Sequence, residues 1–330
     1  MDIDTLSREL VRKILESDKV IIVPHNKVDF DAIGSAIGLS FIVKELGRQA
    51  FIIVNDSIHS LDAGVKIIIE ESKKNYQIIN KERYRAIAGD NDLYILTDVN
   101  RKKLISIPEF LKNPENIMIV DHHNIYDETV ESNYKYINNE HSSASEIVVT
   151  LLDKYYALGL ISNNIANYLY AGIYLDTGQL KKNYTSATMM AIAKLLDNGT
   201  SAARVNTWFK EDFNSDRKVQ NLINSAQMIN FSIALIIATE DVEYSREEIA
   251  KAADYGLNYS DVSFAIGMIE DDIVSISGRS TGRVNIGAIM ADLGGGGSIT
   301  SGATKLTDIS VNEASKKLRK VLKPSYYIEE

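Results

Sequence analysis

The stretch Ile119-Val120-Asp121-His122-His123 places an acid and two adjacent imidazoles directly after a run of apolar residues. The chain contains only five histidines, so two side by side form a strong local signal. A hydrophobic strand that ends in Asp-His-His carries these groups to the carboxyl edge of a sheet, where open α/β folds bind their ligands. Imidazole and carboxylate together suit transition-metal ions, although a histidine-containing surface turn is the alternative.

Composition limits the class of protein. A chain of 330 residues fits two domains, and 45% hydrophobic with 25% charged residues is ordinary for a globular protein. The absence of cysteine excludes disulfides, thiolate metal sites and a cysteine nucleophile. A net charge of −9 argues against sequence-independent binding to duplex DNA. Since no apolar stretch is long enough for a membrane span or a signal peptide, we expect a cytoplasmic protein.

Four short apolar runs predict buried parallel strands. They cover residues 20–23, 50–54, 93–97 and 117–120. Helical patterns lie between most of these runs, including a nearly all-apolar helix over 32–46, whereas residues 70–85 give no clear pattern. The sequence therefore predicts an α/β fold with a doubly wound parallel sheet.

Acids and histidines follow these predicted elements. The residues at element ends are His25, Asp29, Asp31, Asp98, His122 and Asp176. Asp31 directly precedes a helix, so helix capping is an alternative role for it. Asp176 ends an apolar helix, where a carboxylate opposes the helix dipole unless a cation offsets the cost. Of the remaining histidines, we expect His141 at the surface or beside the ligands, and His59 in a solvent-facing loop.

Four carboxylates and two imidazoles exceed the ligands that one ion needs, and fit two ions that share a carboxylate. Such a pair can activate water for in-line displacement at phosphorus. The same arrangement cleaves phosphodiesters, phosphomonoesters and pyrophosphates, and the spacing does not choose among them. A serine nucleophile elbow and a P-loop lysine are both absent from the sequence.

The second half of the chain predicts a smaller α+β domain, with a strand, a helix, a hairpin over 262–277 and two further helices. We predict a metal-binding domain over 1–185, a helical linker over 186–228 and a substrate domain over 229–330. The glycines at 294–297 would let backbone N–H groups approach a phosphate or a base, and Arg279 would add a bidentate donor. A flexible loop and a solvated surface arginine are the alternatives.

Taken together, the motifs resemble a known family. The series His25-x-x-x-Asp29-x-Asp31, Asp98, Asp121-His122-His123 and Asp176 is similar to that of the DHH phosphoesterase superfamily. Ile276-Ser-Gly-Arg279-Ser280 and the glycine run resemble the DHH-associated substrate domain, DHHA1. Two branches are candidates: cyclic-di-AMP phosphodiesterases, and nano-RNA exonucleases that also dephosphorylate adenosine 3′,5′-bisphosphate. Residues 25–38, 171–177 and 293–300 are more similar to the first branch.

The resemblance implies specific roles. One ion, usually Mn²⁺, would be held by His25, Asp29 and Asp98, and a second by Asp31, Asp98, His122 and Asp176, although other divalent ions are compatible. The implied catalytic residues are Asp98, Asp121, His122 and His123. The implied nucleotide-binding residues are Arg279, Ser280, Asn285, Gly295, Gly296, Gly297 and Ser298. A homodimer is common in the superfamily.

Two positions depart from the family pattern: Val28 stands where the family often has proline, a minor change, and the more serious departure ends the glycine run. The family's glycine run ends in a histidine that contacts substrate, and here the residue is Ser298. Serine is shorter and never carries a positive charge. This departure raises a third hypothesis, a nucleotide-binding protein with little turnover, beside the two phosphoesterase branches.

Overall fold

The computed structural model describes residues 1–55, 61–125, 127–155, 158–210, 212–229, 232–270 and 272–322. His59 lies outside these ranges. The chain divides into two compact units, Met1–Lys210 and Glu211–Glu330. The predicted linker over 186–228 runs across this division, and its limits stay a prediction.

The first unit contains a six-stranded parallel sheet. Its order is β3-β2-β1-β4-β5-β6, which places β1 and β4 side by side at the centre. The strands are β1 (Val20–Val23), β2 (Ala50–Ile53), β3 (Gln77–Ile79), β4 (Leu93–Thr97), β5 (Ile117–Asp121) and β6 (Tyr134–Ile137). The chain order reverses between β1 and β4, and ligands of open α/β sheets bind at such a point.

Besides short 3₁₀ helices, eight α-helices lie in the described part of this unit. They are α1 (Ile3–Glu16), α2 (Phe30–Glu45), α3 (Ala63–Ser72), α4 (Lys81–Ile87), α5 (Ala144–Lys154), α6 (Asn163–Asp176), α7 (Ser186–Asp197) and α8 (Ala202–Trp208). Helix α2 is apolar all round because it is buried against α5, α6 and the sheet. A Cβ added at Gly34 would lie 2.5 Å from the Tyr168 carbonyl oxygen, and one at Gly172 would lie 2.6 Å from Asp31 Oδ1. Glycine at these two positions lets α2 and α6 approach closely, which fixes where their polar ends meet.

The second unit is built on a mixed sheet in the order β11-β12-β10-β9-β8-β7. Among these neighbouring strands, only β8 and β9 pair in parallel. The strands are β7 (Gln227–Ile229), β8 (Ile233–Ile237), β9 (Val262–Glu270), β10 (Ile273–Ser280), β11 (Gly296–Gly297) and β12 (Ser301–Thr307). The helices are α9 (Phe213–Ile223), α10 (Arg246–Gly256), α11 (Ile286–Asp292) and α12 (Val311–Val321). Apolar cores lie on both sheet faces.

The predicted α/β class and the parallel sheet are confirmed, and so is the smaller α+β unit. The pattern contained no indication of β3, β6 or β12. The predicted start of α2 at Ala32 was late: the helix begins at Phe30, and Asp29 is its N-cap. No helix in the described ranges combines the length and the apolarity that crossing a membrane requires.

Candidate metal centre

The six candidate ligands of the first unit converge at the carboxyl edge of its sheet. His25 follows β1, Asp98 follows β4, and His122 follows β5, while Asp29 and Asp31 begin α2 and Asp176 ends α6. Their side chains form two overlapping groups whose potential ligand atoms lie within 4.8 Å of one another. The groups are His25, Asp29 and Asp98, and Asp31, Asp98, His122 and Asp176.

Asp98 is the residue that both groups share. Its Oδ2 lies 3.3 Å from His25 Nε2, and its Oδ1 lies 3.3 Å from His122 Nε2. The Asp98 backbone N–H donates to the Val120 carbonyl, which extends the β4–β5 pairing, and the residue then turns into the left-handed region at φ 57°. Aspartate tolerates that region better than most side chains, and such backbone strain concentrates at functional sites.

The first group is completed by two residues of the β1–α2 connection. His25 Nε2 lies 3.5 Å from Asp29 Oδ2, while its Nδ1 lies 2.7 Å from the Asn26 carbonyl oxygen. Since a carbonyl oxygen can only accept, Nδ1 donates to it, and Nε2 is the nitrogen aimed at the acids. A backbone contact of this kind typically orients a metal-binding histidine.

The second group lies deeper. His122 Nε2 is 3.2 Å from Asp176 Oδ2 and 4.0 Å from Asp31 Oδ2. Asp31 is fully buried and accepts hydrogen bonds from the backbone N–H groups of Ala144 and Ser145 at 2.7 and 2.8 Å. These are the first N–H groups of α5, whose positive helix end stabilises a carboxylate. Asp31 therefore does not cap its own helix but anchors two helices at the site.

Asp121 and His123 support the cluster from one side. Asp121 Oδ1 accepts from the backbone N–H groups of both histidines and from His123 Nδ1 at 2.8 Å, and its Oδ2 accepts from Asn100 at 2.6 Å. The carboxylate of Asp121 is fully occupied, so it orients its neighbours. His123 is half exposed, with 54% of its side chain accessible, and its Nδ1 lies 3.5 Å from Asp98 Oδ1. Asp98, Asp121, His122 and His123 thus form a third group of potential ligands.

Two buried atoms at the centre of the cluster lack partners. Among the described residues, Asp98 Oδ1 and His122 Nε2 are buried without a hydrogen bond, although they lie close to each other. A buried polar atom without a hydrogen bond costs about 1–3 kcal/mol, so it calls for an explanation, and binding an ion is one. Oxygen and imidazole ligands with these spacings fit a divalent metal ion, so the side chains present are suited to metal binding.

The pKa values of the cluster follow from its burial and its neighbouring charges. Burial lowers the pKa of His25 and His122, but their contacts with the acids outweigh it and raise both to about 11. Burial and the neighbouring acids raise the pKa of Asp176 to about 6 and that of Asp31 well above its ordinary range. For Asp98 the two histidines outweigh burial and lower the pKa to about 2. Without a metal, protons on the imidazoles therefore balance the acids.

A second buried network lies beside this cluster, and no sequence pattern predicted it. Glu146, 1% exposed, accepts from His141 Nδ1 at 2.8 Å, from Ser142 Oγ at 2.7 Å and from Thr188 Oγ1 at 2.8 Å. His141 Nε2 contacts the Tyr136 hydroxyl at 2.8 Å. Both nitrogens of His141 are thus occupied. Asn100, which holds Asp121, was also missed; its place two residues after Asp98 was the only hint.

In the second unit the predicted substrate residues belong to one sheet and the helix beside it. Arg279 of β10 donates through Nε to Asp254 Oδ1 at 2.7 Å and through Nη1 to Ser277 and Gly278. Ser280 donates to the Val284 carbonyl, and Asn285 is the N-cap of α11. A Cβ at Gly278 would meet Met290 and Ile286 of α11, so the next residue, Arg279, faces the opposite side.

The glycine run is packed unevenly. A Cβ at Gly295 would lie 2.2 Å from the Ala303 carbonyl oxygen, and one at Gly297 would lie 2.2 Å from the Ser301 carbonyl oxygen. Gly296 has nothing within 4 Å. Ser298 is exposed, and its hydroxyl lies 3.1 Å from Ser301 Oγ. Close packing on β12 therefore explains Gly295 and Gly297, whereas Gly294, at φ 82°, and Gly296 both have nothing within 4 Å.

Two family models match the chain, the DHH family N-terminal domain over residues 19–173 and the DHHA1 domain over 232–324. The chain is 33% identical to the cyclic-di-AMP phosphodiesterase GdpP of Geobacillus thermodenitrificans, over 96% of this chain and 49% of that protein. It is 29% identical to a probable bifunctional oligoribonuclease and PAP phosphatase, NrnA, of Streptococcus mutans, over 58% of this chain and 56% of that protein. The chain thus spans about half the length of these relatives.

A solved structure shares the fold. An exopolyphosphatase-related protein from Bacteroides fragilis superposes with a TM-score of 0.79 at 20% identity, covering 96% of this chain and 95% of that one. The two matched domains follow one another along the chain in the order that the sequence motifs indicate. The acids and histidines of the first domain lie together at one edge of its sheet. The chain belongs to the DHH family and carries a DHHA1 domain in its second unit.

Proposed function

We propose that the chain is a divalent-metal-dependent phosphoester hydrolase that opens cyclic-di-AMP to the linear dinucleotide, and carries on to AMP. The observation that carries this proposal is Asp98, which joins two ligand groups and keeps a buried oxygen without a partner. A relative named as a cyclic-di-AMP phosphodiesterase supports the substrate, since the likeness extends over 96% of this chain.

In this proposal His25, Asp29 and Asp98 hold one ion, and Asp31, Asp98, His122 and Asp176 hold the other, with Mn²⁺ as the preferred metal. Bound divalent ions would lower the pKa of a water molecule and stabilise charge on phosphate oxygens. The chain contributes position: the Asn26 carbonyl orients the His25 ring, and the N-terminus of α5 fixes the Asp31 carboxylate.

Asp121 and His123 act together on the substrate side. The hydrogen bond to Asp121, which outweighs the effect of burial, raises the pKa of His123. With Nδ1 donating to Asp121, a protonated His123 keeps Nε2 as its second donor. A protonated His123 can then donate to a phosphate oxygen while Asp121 holds its ring.

The second unit would bind the nucleotide more loosely. Arg279 can offer a phosphate its one remaining N–H or exchange the ion pair with Asp254, and Gly296 offers an open backbone. Gly295, Gly297, Ser280 and Asn285 would shape this surface, because their atoms are already engaged or closely packed. Ser298 would add a hydroxyl to it.

A second candidate keeps the chemistry and changes the substrate. The likeness to the Streptococcus mutans protein favours short oligoribonucleotides and adenosine 3′,5′-bisphosphate. A nucleotide-binding protein with little turnover is the third candidate, since Ser298 can bind only as an uncharged hydroxyl.

One experiment separates the three candidates. The purified protein, stripped of metal and then supplied with Mn²⁺, is incubated with cyclic-di-AMP, linear di-adenylate and the bisphosphate, and products are resolved by chromatography. Cleavage of the cyclic compound supports the first proposal. Cleavage of linear substrates alone favours the second candidate, and binding without products favours the third.

A further inference from the structure

A large polar cavity lies beside the candidate metal centre, within the first unit. Its volume is about 960 Å³, which is enough for a nucleoside. His122 and Asp176 form part of its wall, so a phosphate held at the metal centre would direct its attached group into this space. That placement rests on the proposed function.

The charges on the cavity wall disfavour a second phosphate. Among the described lining residues there is no lysine and no arginine, while Glu140 and Glu146 both contribute. A smaller cavity of about 350 Å³ lies next to His25 and Asp98 and shares His123 and Asp176 with the large one, and Arg101 lines it. An uncharged part of a ligand therefore suits the large cavity better than an anion does.

Two carboxamides are among the hydrogen-bonding groups of the large cavity. Asn139 Nδ2 donates to Asn124 Oδ1 at 3.0 Å, and the side chains of both residues line the space. This bond leaves Asn139 Oδ1 and Asn124 Nδ2, an acceptor beside a donor. A nucleobase edge presents the complementary pair, and asparagine is a common partner for such edges.

An aromatic side chain stands at the same cavity. Tyr184 lines it and keeps 47% of its surface exposed. The loop that connects Asp176 to Tyr184 is conformationally strained, since Gln179, Leu180 and Asn183 all have φ between 54° and 63°. Such strain concentrates where structure serves a ligand, and an exposed ring is a platform on which a base stacks.

The remaining wall is rigid. His141 is held between Glu146 and the Tyr136 hydroxyl, and Glu146 is in turn bonded to Ser142 and Thr188.

We infer that this cavity is a nucleobase subsite, in which Tyr184 stacks on the base and the Asn124–Asn139 pair binds its edge. The subsite would hold the nucleoside on one side of the reacting phosphate.

The test compares two ligands that differ only by the base, AMP and ribose 5-phosphate. Their dissociation constants are measured calorimetrically on the Mn²⁺-loaded full chain. We expect AMP to bind at least about tenfold more tightly, because base stacking on an aromatic ring contributes that much or more. Tyr184→Ala and Asn139→Leu should each weaken AMP by about tenfold and leave ribose 5-phosphate unchanged.

Two controls keep the result specific. Tyr184→Phe retains the ring, and Leu196→Ala removes an apolar side chain that is also 47% exposed; both should bind AMP as the unaltered protein does. Equal affinities for AMP and ribose 5-phosphate would overturn the inference, and so would an AMP affinity that neither Tyr184→Ala nor Asn139→Leu changes. A base preference that depends on Tyr184, in a protein that leaves cyclic-di-AMP intact, would contradict the proposed function while supporting the subsite.

Discussion

In the first unit, Asp98 Oδ1 and His122 Nε2 are buried atoms that form no hydrogen bond, whereas in the second unit Arg279 and Ser298 already hydrogen-bond to neighbours. The first arrangement is built for a ligand that must complete it. The second must exchange existing contacts for a ligand, so it gains less from binding. We therefore expect turnover to depend on the first unit and the second unit to adjust affinity.

The largest effect should follow Asp98→Asn. Asparagine tolerates the left-handed backbone and nearly keeps the volume, but it removes the shared negative ligand. We expect turnover to fall at least about 1000-fold, beyond the 10–100-fold typical of residues that only support ligands. Product formation and bound Mn²⁺ are measured together. Asp197→Asn replaces an exposed acid on α7 and should change neither product formation nor bound Mn²⁺. Normal turnover in Asp98→Asn would contradict the difference drawn between the two units.

The next largest effect is expected when two neighbouring glycines of the second unit are each replaced by alanine. Gly295→Ala places a methyl group against the Ala303 carbonyl, whereas Gly296→Ala meets open space. We expect the first to lower the free energy of unfolding by roughly 2 kcal/mol and the second by well under 1 kcal/mol. Denaturant titration measures both. A Gly296→Ala variant that folds normally yet binds nucleotide poorly would show that the open backbone serves the ligand.

The pH dependence of metal binding tests the description of the cluster in the first unit. Because the pKa values of His25 and His122 are raised to about 11 without metal, both imidazoles are protonated at pH 7. A metal must displace those protons, so its apparent affinity should rise with pH, up to about tenfold per pH unit for each proton released. Calorimetry in buffers of different ionisation enthalpy counts the protons. No release at pH 7 would contradict this description of the metal-free cluster.

The smallest effect concerns Ser298→His. The exposed hydroxyl loses weak contacts with Ser301, and the new imidazole can reach an anionic ligand. We expect KM for cyclic-di-AMP to fall about threefold with little change in stability, in keeping with an exposed polar contact. Ser298→Asn is the control of intermediate size. An unchanged KM in Ser298→His would mean that this position does not contact the substrate.

The centre of the first unit could be predicted because fully buried parallel strands are continuous apolar runs. Those strands end where the sheet collects polar groups, so the amino-acid pattern alone was enough to place His25, Asp98 and His122 together. The edge strands β3 and β6 escaped prediction because they are short and only partly buried. β12 escaped because its residues are mostly polar.

Contacts between distant segments were out of reach. The pattern around Asp31 suggested a helix cap, but its actual partners are backbone groups 113 and 114 residues later in the chain. The bonds of Glu146 to Thr188 and of Asn100 to Asp121 are of the same kind. Spacing along a sequence can indicate which residues reach an edge of a sheet, but not which neighbours will hold them there.

The central claim is that Asp98 is shared between two metal ions. The most direct measurement is anomalous diffraction from crystals of the full chain soaked in Mn²⁺, collected on both sides of the manganese absorption edge. We predict two peaks with Asp98 between them, one contacting His25 and Asp29, the other contacting Asp31, His122 and Asp176. A single peak, or two peaks of which only one touches Asp98, would contradict it.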